Sequence, residues 1–317
     1  MGHEASECEA YAASRTRAVQ KVCHLAGPAT FRYLADMTDK AIASRLSLGL
    51  DATFDAGKAI AEYYFDMAID VVWKGDGSPV TQADERAEKI LRERIGAVFP
   101  DDAIVGEEHE DEHGTSGFKW IIDPLDGTEA FIRKLPIFGT LVGLEYKDEL
   151  VGGICFMPAQ REIAWATKGQ GCWWVQDTTH AYDIETLKER AIRAQVSPCS
   201  ELKEAMITTT GQGAFHRSGR VGEFLKLRNA TRKDRGFGHC WGHLLVVTGR
   251  MDISFEPKIK EWDIAPFAAM LAEAGGKLTD FDGEPTIYSG NVVCSNGVLH
   301  DDAIKALHSK LPKLDLK

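Results

Sequence analysis

Apolar residues recur at helical spacing through "LSLGLDATFDAGKAIAEYYFDMAI", residues 46–69, and predict a helix of several turns. The stretch "KGDGSP" breaks it with glycine and proline. A second helix is predicted from Thr81, where "TQAD" offers a capping box of Thr81 and Asp84, through "ERAEKILRERIGAVF" to Pro100. The period then shortens. "AIVGEE" and "FKWIID" read as short strands, and "IFGTLVGLEYKDELVGGICFMPAQREIAWATKG" reads as a meander with turns at "KDE" and "PAQRE". In the second half, strands "AMITTT", "MDISFE", "GKLTDF" and "NVVCSN" alternate with helices predicted at 220–228, 239–248, 263–274 and 301–310. The segment before residue 46 is rich in Ala and Arg, is interrupted at "AGP", and reads as two short helices. The expected organisation is an N-terminal helical extension, 1–45, followed by a main domain, 46–317, of two packed lobes at about 46–190 and 191–317. Strands that first meander and then interleave with helices predict a layered mixed α/β fold with its site where the halves meet.

Composition narrows the function classes. A chain of 317 residues, 44% of them hydrophobic, can bury a large core. Its formal net charge of -11 excludes nucleic acid and anionic membrane surfaces as default partners, because both need a basic footprint. No run reaches the roughly 18 apolar residues of a membrane span, and the N-terminus lacks the apolar core of a signal peptide. The seven cysteines form no CxxC pair and read as reduced thiols, which points to the cytoplasm. "MGHEAS" fits the pattern for myristoylation of Gly2, with Cys8 as a second acylation position, although the nearby Glu4 and Glu7 suit the solvated start of a helix better.

The candidate chemistry lies in acidic residues at strand ends and helix starts: Asp84, Glu107, Asp123, Asp126 and Asp263. In "WIIDPLDGTEAFI", Pro124 cannot continue a central ladder, so the strand is expected to stop at Asp123 and turn. Such a turn lets both aspartates, and the Leu125 carbonyl, face one point. Gly127 permits tight geometry and Thr128 opens a helix whose free N–H groups suit an anion. Close carboxylates repel unless a cation sits among them, and oxygen-only ligands suit Mg²⁺. The competing reading is an Asp-Pro turn ahead of a capped helix. In "FGHCWGH", His239 and His243 stand four apart with Cys240 between them, a spacing that fits zinc. With no third ligand nearby, His239 reads instead as a residue of the substrate pocket and His243 as a packed or exposed histidine. "GEEHEDEHG" beyond Glu107 reads mostly as a solvated acidic loop.

Taken together, "DGSPVTQAD", "GEE", "WIIDPLDGT" and "EWDIAPFAAMLAEAGG" resemble, in order and separation, the inositol monophosphatase superfamily of metal-dependent, lithium-sensitive phosphatases, over about residues 46–310. The resemblance implies a five-layered αβαβα fold, a homodimer and two or three Mg²⁺ ions. It implies that Glu107 and Asp123, with the Leu125 carbonyl, bind the first ion, and that Asp123, Asp126 and Asp263 bind the second. Thr128 paired with Asp84 would orient and deprotonate the attacking water, and the Gly127 and Thr128 amides would hold the phosphate.

Within that superfamily, "DGTEAFIRKLPIFGTLVGL", "TTTGQGAF" and "GHCWGHLLVVTGRMDISFEP" look most like histidinol-phosphate phosphatases. Thr209 and Glu256 match substrate-contacting positions. Two positions depart: that branch carries Lys where Glu129 stands and an acidic residue where His239 stands. The implied substrate is a small phosphate monoester, L-histidinol phosphate first and inositol monophosphate or another sugar phosphate second. A reading of another class is a catalytically silent scaffold that acts through residues 1–45.

Overall fold

Helix α1 occupies Pro28–Asp66, and no glycine or proline interrupts its first five turns before Gly49. The computed structural model describes residues 28–66, 69–75, 77–179 and 184–310, so Gly2, Cys8 and the first of the two expected N-terminal helices lie outside the described residues. The second of those helices does not end before residue 46 as expected, because nothing between Ala29 and Leu48 carries a stop signal. Internal contacts divide the chain into residues 1–45 and 46–317, and the description that follows concerns the second unit.

After α1 a short hairpin forms, β1 (Val71–Trp73) with β2 (Pro79–Thr81), where a helix breaker was expected. It leads into α2 (Gln82–Val98), whose capping box uses Thr81 and Asp84 as the spacing predicts. A seven-stranded sheet follows in the order β3 (Ala103–Gly106), β4 (Phe118–Asp126), β5 (Gly139–Tyr146), β6 (Glu149–Met157), β7 (Glu162–Thr167), β8 (Gly171–Val175) and β9 (Ile192–Arg193). It is antiparallel except for the β3–β4 pair. Between β4 and β5 sits the short helix α3 (Thr128–Ile132), and α4 (Ile184–Glu189) precedes β9.

The strand β4 corrects one expectation. It does not end at Asp123: Asp123 pairs with Leu141 and Asp126 pairs with Gly139, so the two residues between them bulge out and the ladder resumes. Pro124 is tolerated because the bulge removes the need for its missing N–H, and its carbonyl accepts the Thr140 hydroxyl at 3.0 Å.

The second sheet has five strands in the order β11 (Lys233–Arg235), β10 (Met206–Thr208), β12 (Ile253–Glu256), β14 (Val292–Ser295) and β13 (Lys277–Thr279). Alternation along β12 sends Ile253 and Phe255 to one face and Ser254 and Glu256 to the other. On the Phe255 face, α6 (Val221–Ala230) and α9 (His300–His308) bury Phe224, Leu227, Ala303 and Leu307, and α5 (Gln212–Arg217) adds Phe215. Between the sheets lie α7 (His239–Val247) and α8 (Glu261–Ala274), whose Leu244, Phe267 and Leu271 share a core with Leu141 and Cys155 of one sheet and Val292 and Cys294 of the other. The outer face of the larger sheet is covered by α1, where Phe54 meets Phe156 in a tilted ring contact with centroids 5.1 Å apart. The architecture is therefore helix, sheet, helix, sheet, helix.

Helix α8 lies unusually flush on the larger sheet. A Cβ on Gly153 would sit 2.1 Å from the Pro266 carbonyl oxygen, and one on Gly143 would sit 2.7 Å from the Ala265 Cβ. The obstacle at Gly153 is backbone, which cannot rotate away. Gly153→Ala is therefore expected to cost about 1–3 kcal/mol of stability by overpacking, read as a fall in the urea midpoint at constant slope. An unchanged midpoint would mean that α8 can lift without cost.

Candidate active site

Four of the five acidic residues reach the site from different elements. Asp84 is the third residue of α2, Glu107 follows β3, Asp123 stands at the bulge of β4 and Asp263 is the third residue of α8. Carboxylate oxygens of Glu107, Asp123 and Asp263 lie within 4.8 Å of one another. Asp123 is 1% exposed. Its Oδ1 accepts the Leu125 N–H at 3.0 Å, while no donor among the described residues reaches its Oδ2. Burial, followed by the charges of Glu107, Asp126 and Asp263, holds the Asp123 carboxyl well above the usual range. Burial and Asp126 likewise push Asp263 up to about 7. A buried carboxylate oxygen without a donor, facing two further carboxylates, is the donor set a hard divalent cation requires, so the residues present fit such an ion.

Asp126 stands beside this group rather than inside it. Its Oδ2 accepts the Cys240 N–H at the start of α7, and its Oδ1 lies 3.5 Å from His239 Nδ1. Although burial opposes ionisation, these two contacts lower the Asp126 pKa. In turn Asp126 outweighs burial at His239 and, with Glu256 and Asp263, raises that imidazole to about 9.

Asp84 is 1% exposed and is held on both oxygens. The Thr81 N–H and hydroxyl donate to Oδ2, and the Thr128 hydroxyl reaches Oδ1 at 3.0 Å. The same Thr128 oxygen lies 3.1 Å from the Leu125 carbonyl. Burial raises Asp84 against the bonds from Thr81 and Thr128. Gly127 caps α3 at φ 87°, and a Cβ there would lie 2.6 Å from the Ile137 carbonyl, so only glycine brings the helix start this close. Glu129 is exposed on α3.

On the far side, Glu256 is 4% exposed and is gripped by the Thr209 hydroxyl at 3.2 Å and the Thr210 N–H at 2.6 Å. Burial, opposed by those bonds, takes its carboxyl to about 7. Thr209 thus reaches the candidate pocket as the partner of Glu256.

Two features escaped the sequence. Lys74, at the end of β1, donates to Glu107 at 3.0 Å and pairs with Glu108 at 2.7 Å. Burial lowers the Lys74 pKa, but Glu108 and Glu107 together raise it to about 12. Glu108 is therefore not part of a solvated loop, since its side chain is 5% exposed and its N–H donates to the fully buried Glu88. Glu88 in turn pairs with Arg92. A lysine just before a glycine turn has no spacing relation to "GEE", so no motif could have joined them. The zinc spacing also dissolves, because His243 Nδ1 meets Ser254 Oγ at 2.8 Å inside the core while His239 faces Asp126.

With this geometry in hand, comparison with known proteins identifies a class, the phosphomonoester hydrolases built on this layered fold. Residues 44–311 match the inositol monophosphatase family. A histidinol-phosphatase of Streptomyces coelicolor is 33% identical over 263 residues, 82% of this chain and 92% of that one. An inositol-1-monophosphatase of Rhizobium meliloti is 34% identical over 260 residues, 79% of this chain and 91% of that one. Among solved structures, the extragenic suppressor protein suhB of Bartonella henselae superposes with a TM-score of 0.73 at 27% identity, covering 83% of this chain and 97% of that one. The chain belongs to the inositol monophosphatase family and is an enzyme that hydrolyses phosphate monoesters.

Burial takes the His243 imidazole from 6.5 down to about 4. Between those values the unfolded chain binds a proton that the folded chain refuses, so stability falls as pH drops. Down to pH 4 the loss from this one group is on the order of 3 kcal/mol. A His243→Gln chain should show a shallower fall of melting temperature across that window. Equal slopes in the two proteins would show that His243 is not the group responsible.

Proposed function

We propose that this enzyme is a Mg²⁺-dependent phosphatase whose substrate is L-histidinol phosphate, acting in the cytoplasm as a homodimer. The observation that carries the metal assignment is the nest of Glu107, Asp123 and Asp263 with its unpartnered Asp123 oxygen. In this reading Glu107, Asp123 and the Leu125 carbonyl hold one ion, and Asp123, Asp126 and Asp263 hold a second. Bound there, the ions supply positive charge to the phosphate and the leaving oxygen and ease deprotonation of the attacking water.

The protein's own groups do the rest. Asp84 keeps the Thr128 hydroxyl turned toward it, leaving a lone pair on Thr128 Oγ1 to accept the proton of a water in the cleft while its own proton passes to Asp84 Oδ1. The raised pKa of Asp84 makes it a better proton acceptor than an exposed aspartate. The Gly127 and Thr128 amides at the start of α3 orient the phosphate, and Glu256, fixed by Thr209 and Thr210, receives a hydroxyl or ammonium of the leaving alcohol.

Similarity to histidinol-phosphatases from several bacteria supports the first substrate. His239 favours the second, inositol monophosphate, because an imidazole raised to about 9 repels a cationic amino alcohol and tolerates a neutral polyol. Among the described residues no helix is long and apolar enough to cross a membrane.

Asp123→Asn is expected to retain the fold by circular dichroism and to lose well over about tenfold in Mg²⁺-dependent phosphate release from p-nitrophenyl phosphate. Retention of most activity would sink the metal assignment. Turnover on L-histidinol phosphate and inositol 1-phosphate decides the substrate. His239→Asp should move the ratio of kcat/KM toward histidinol phosphate by about 1–3 kcal/mol; an unmoved ratio would place residue 239 outside the pocket.

A further inference from the structure

The carboxylates of this site are not held alike. In the nest of Glu107, Asp123 and Asp263, Glu107 is paired on one oxygen with Lys74 and Asp123 keeps an oxygen without a donor, but Asp126 has a partner on each oxygen, the Cys240 N–H on Oδ2 and the His239 ring on Oδ1. The ring has little freedom to leave. His239 opens α7 with φ at 56°, a left-handed conformation that costs energy for a residue with a side chain and persists only where its surroundings impose it. Here they do: Gly238 is pressed on Thr210 so closely that a Cβ would lie 2.2 Å from the Thr210 Cα. The His239 N–H faces the Thr210 hydroxyl at 3.5 Å. The strand end at Thr208–Thr210 therefore wedges the start of α7, and the wedge sets the imidazole against Asp126.

The side chain of His239 is nevertheless 32% exposed against 9% for Asp126, so the ring is the solvent-facing member of the pair. We infer that His239 occupies the approach to Asp126 that a second divalent ion would use, so that one ion binds tightly in the nest of Glu107, Asp123 and Asp263 and a second binds only by displacing the imidazole. The inference rests on the reading of this site as a metal-dependent phosphatase. It does not depend on the charge of the ring, since a neutral imidazole with hydrogen on Nδ1 donates to a carboxylate just as an imidazolium does. Its consequence is that the residue at 239 sets the affinity of the second ion while leaving the first alone, so the position that helps choose the leaving group also sets metal stoichiometry.

The test uses the full chain and Mn²⁺ as probe, followed by calorimetric titration and by the electron paramagnetic resonance signal of free Mn²⁺. The wild-type chain should show a tight and a weaker class. His239→Gly removes the ring at a backbone conformation glycine adopts freely, and should tighten the weaker class by about tenfold with the tight class unchanged. His239→Asn, which also tolerates the left-handed region, should shift in the same direction and guards against a folding defect in the glycine variant. Asp126→Asn should abolish the weaker class and make a further His239→Gly change silent. A weaker class that does not move in either His239 variant, or two classes that tighten together, overturns the inference. If that happens while Asp123→Asn still removes the tight class, the phosphatase reading stands. If wild-type and Asp123→Asn chains bind Mn²⁺ identically, the metal site itself is wrong and this inference fails with it.

Discussion

Asp123 is buried against the charges of Glu107, Asp126 and Asp263, and one of its oxygens meets no donor from the described chain. Two unit charges of like sign at about 5 Å repel by roughly 3 kcal/mol even at an effective dielectric near 20. Three carboxylates within 4.8 Å of one another meet that repulsion pair by pair. Without a cation the chain's recourse is protonation, which is why burial and mutual repulsion push Asp123 upward and bring Asp263 to about 7. A divalent cation removes the same repulsion while leaving every carboxylate ionised.

Such a nest must be held together by something other than its own chemistry, and the middle helix layer supplies it. Asp263 lies at the start of α8, and the body of α8 carries Phe267, Met270 and Leu271, all fully buried. Each such side chain contributes about 1.5–3 kcal/mol of burial, enough in sum to hold the helix down against repulsion at its first turn. Gly143 and Gly153 convert that adhesion into position, because their bare backbones let Ala265 and Pro266 rest directly on the sheet that presents Asp123. The β4 bulge works from the other side, since it places Asp123 and Asp126 on one strand while spending Pro124 where a ladder bond is not needed.

The legible parts were those written in local chemistry. The capping box of Thr81 and Asp84, the starts of α7 and α8 within two residues, and the carboxylates at element ends all follow from spacing and residue type. The course of β4 past Asp123 was not legible, because proline forbids an ordinary ladder and says nothing about whether a bulge will restore it. Nor were the Lys74–Glu107–Glu108 cluster and the His243–Ser254 pair, whose members come from separate elements and meet only once the layers are stacked. Periodicity placed α1 correctly from residue 46 onward. It missed the continuity back to Pro28, because scattered apolar residues without a clear stripe looked like short pieces when helix propensity alone could extend them.

The same electrostatics bear on how the site meets an anionic substrate. A chain of net charge -11 that concentrates carboxylates in its cleft repels a phosphate ester at long range and at contact. The cations the protein itself provides there, Lys74 and His239, are already committed to Glu107 and Asp126. They offset part of the carboxylate charge. Under the proposed function, divalent ions held in the nest offset that charge and so favour binding of the phosphate. The pairs at Lys74 and His239 each lower the repulsion that their carboxylate exerts on Asp123, at Glu107 inside the nest and at Asp126 beside it.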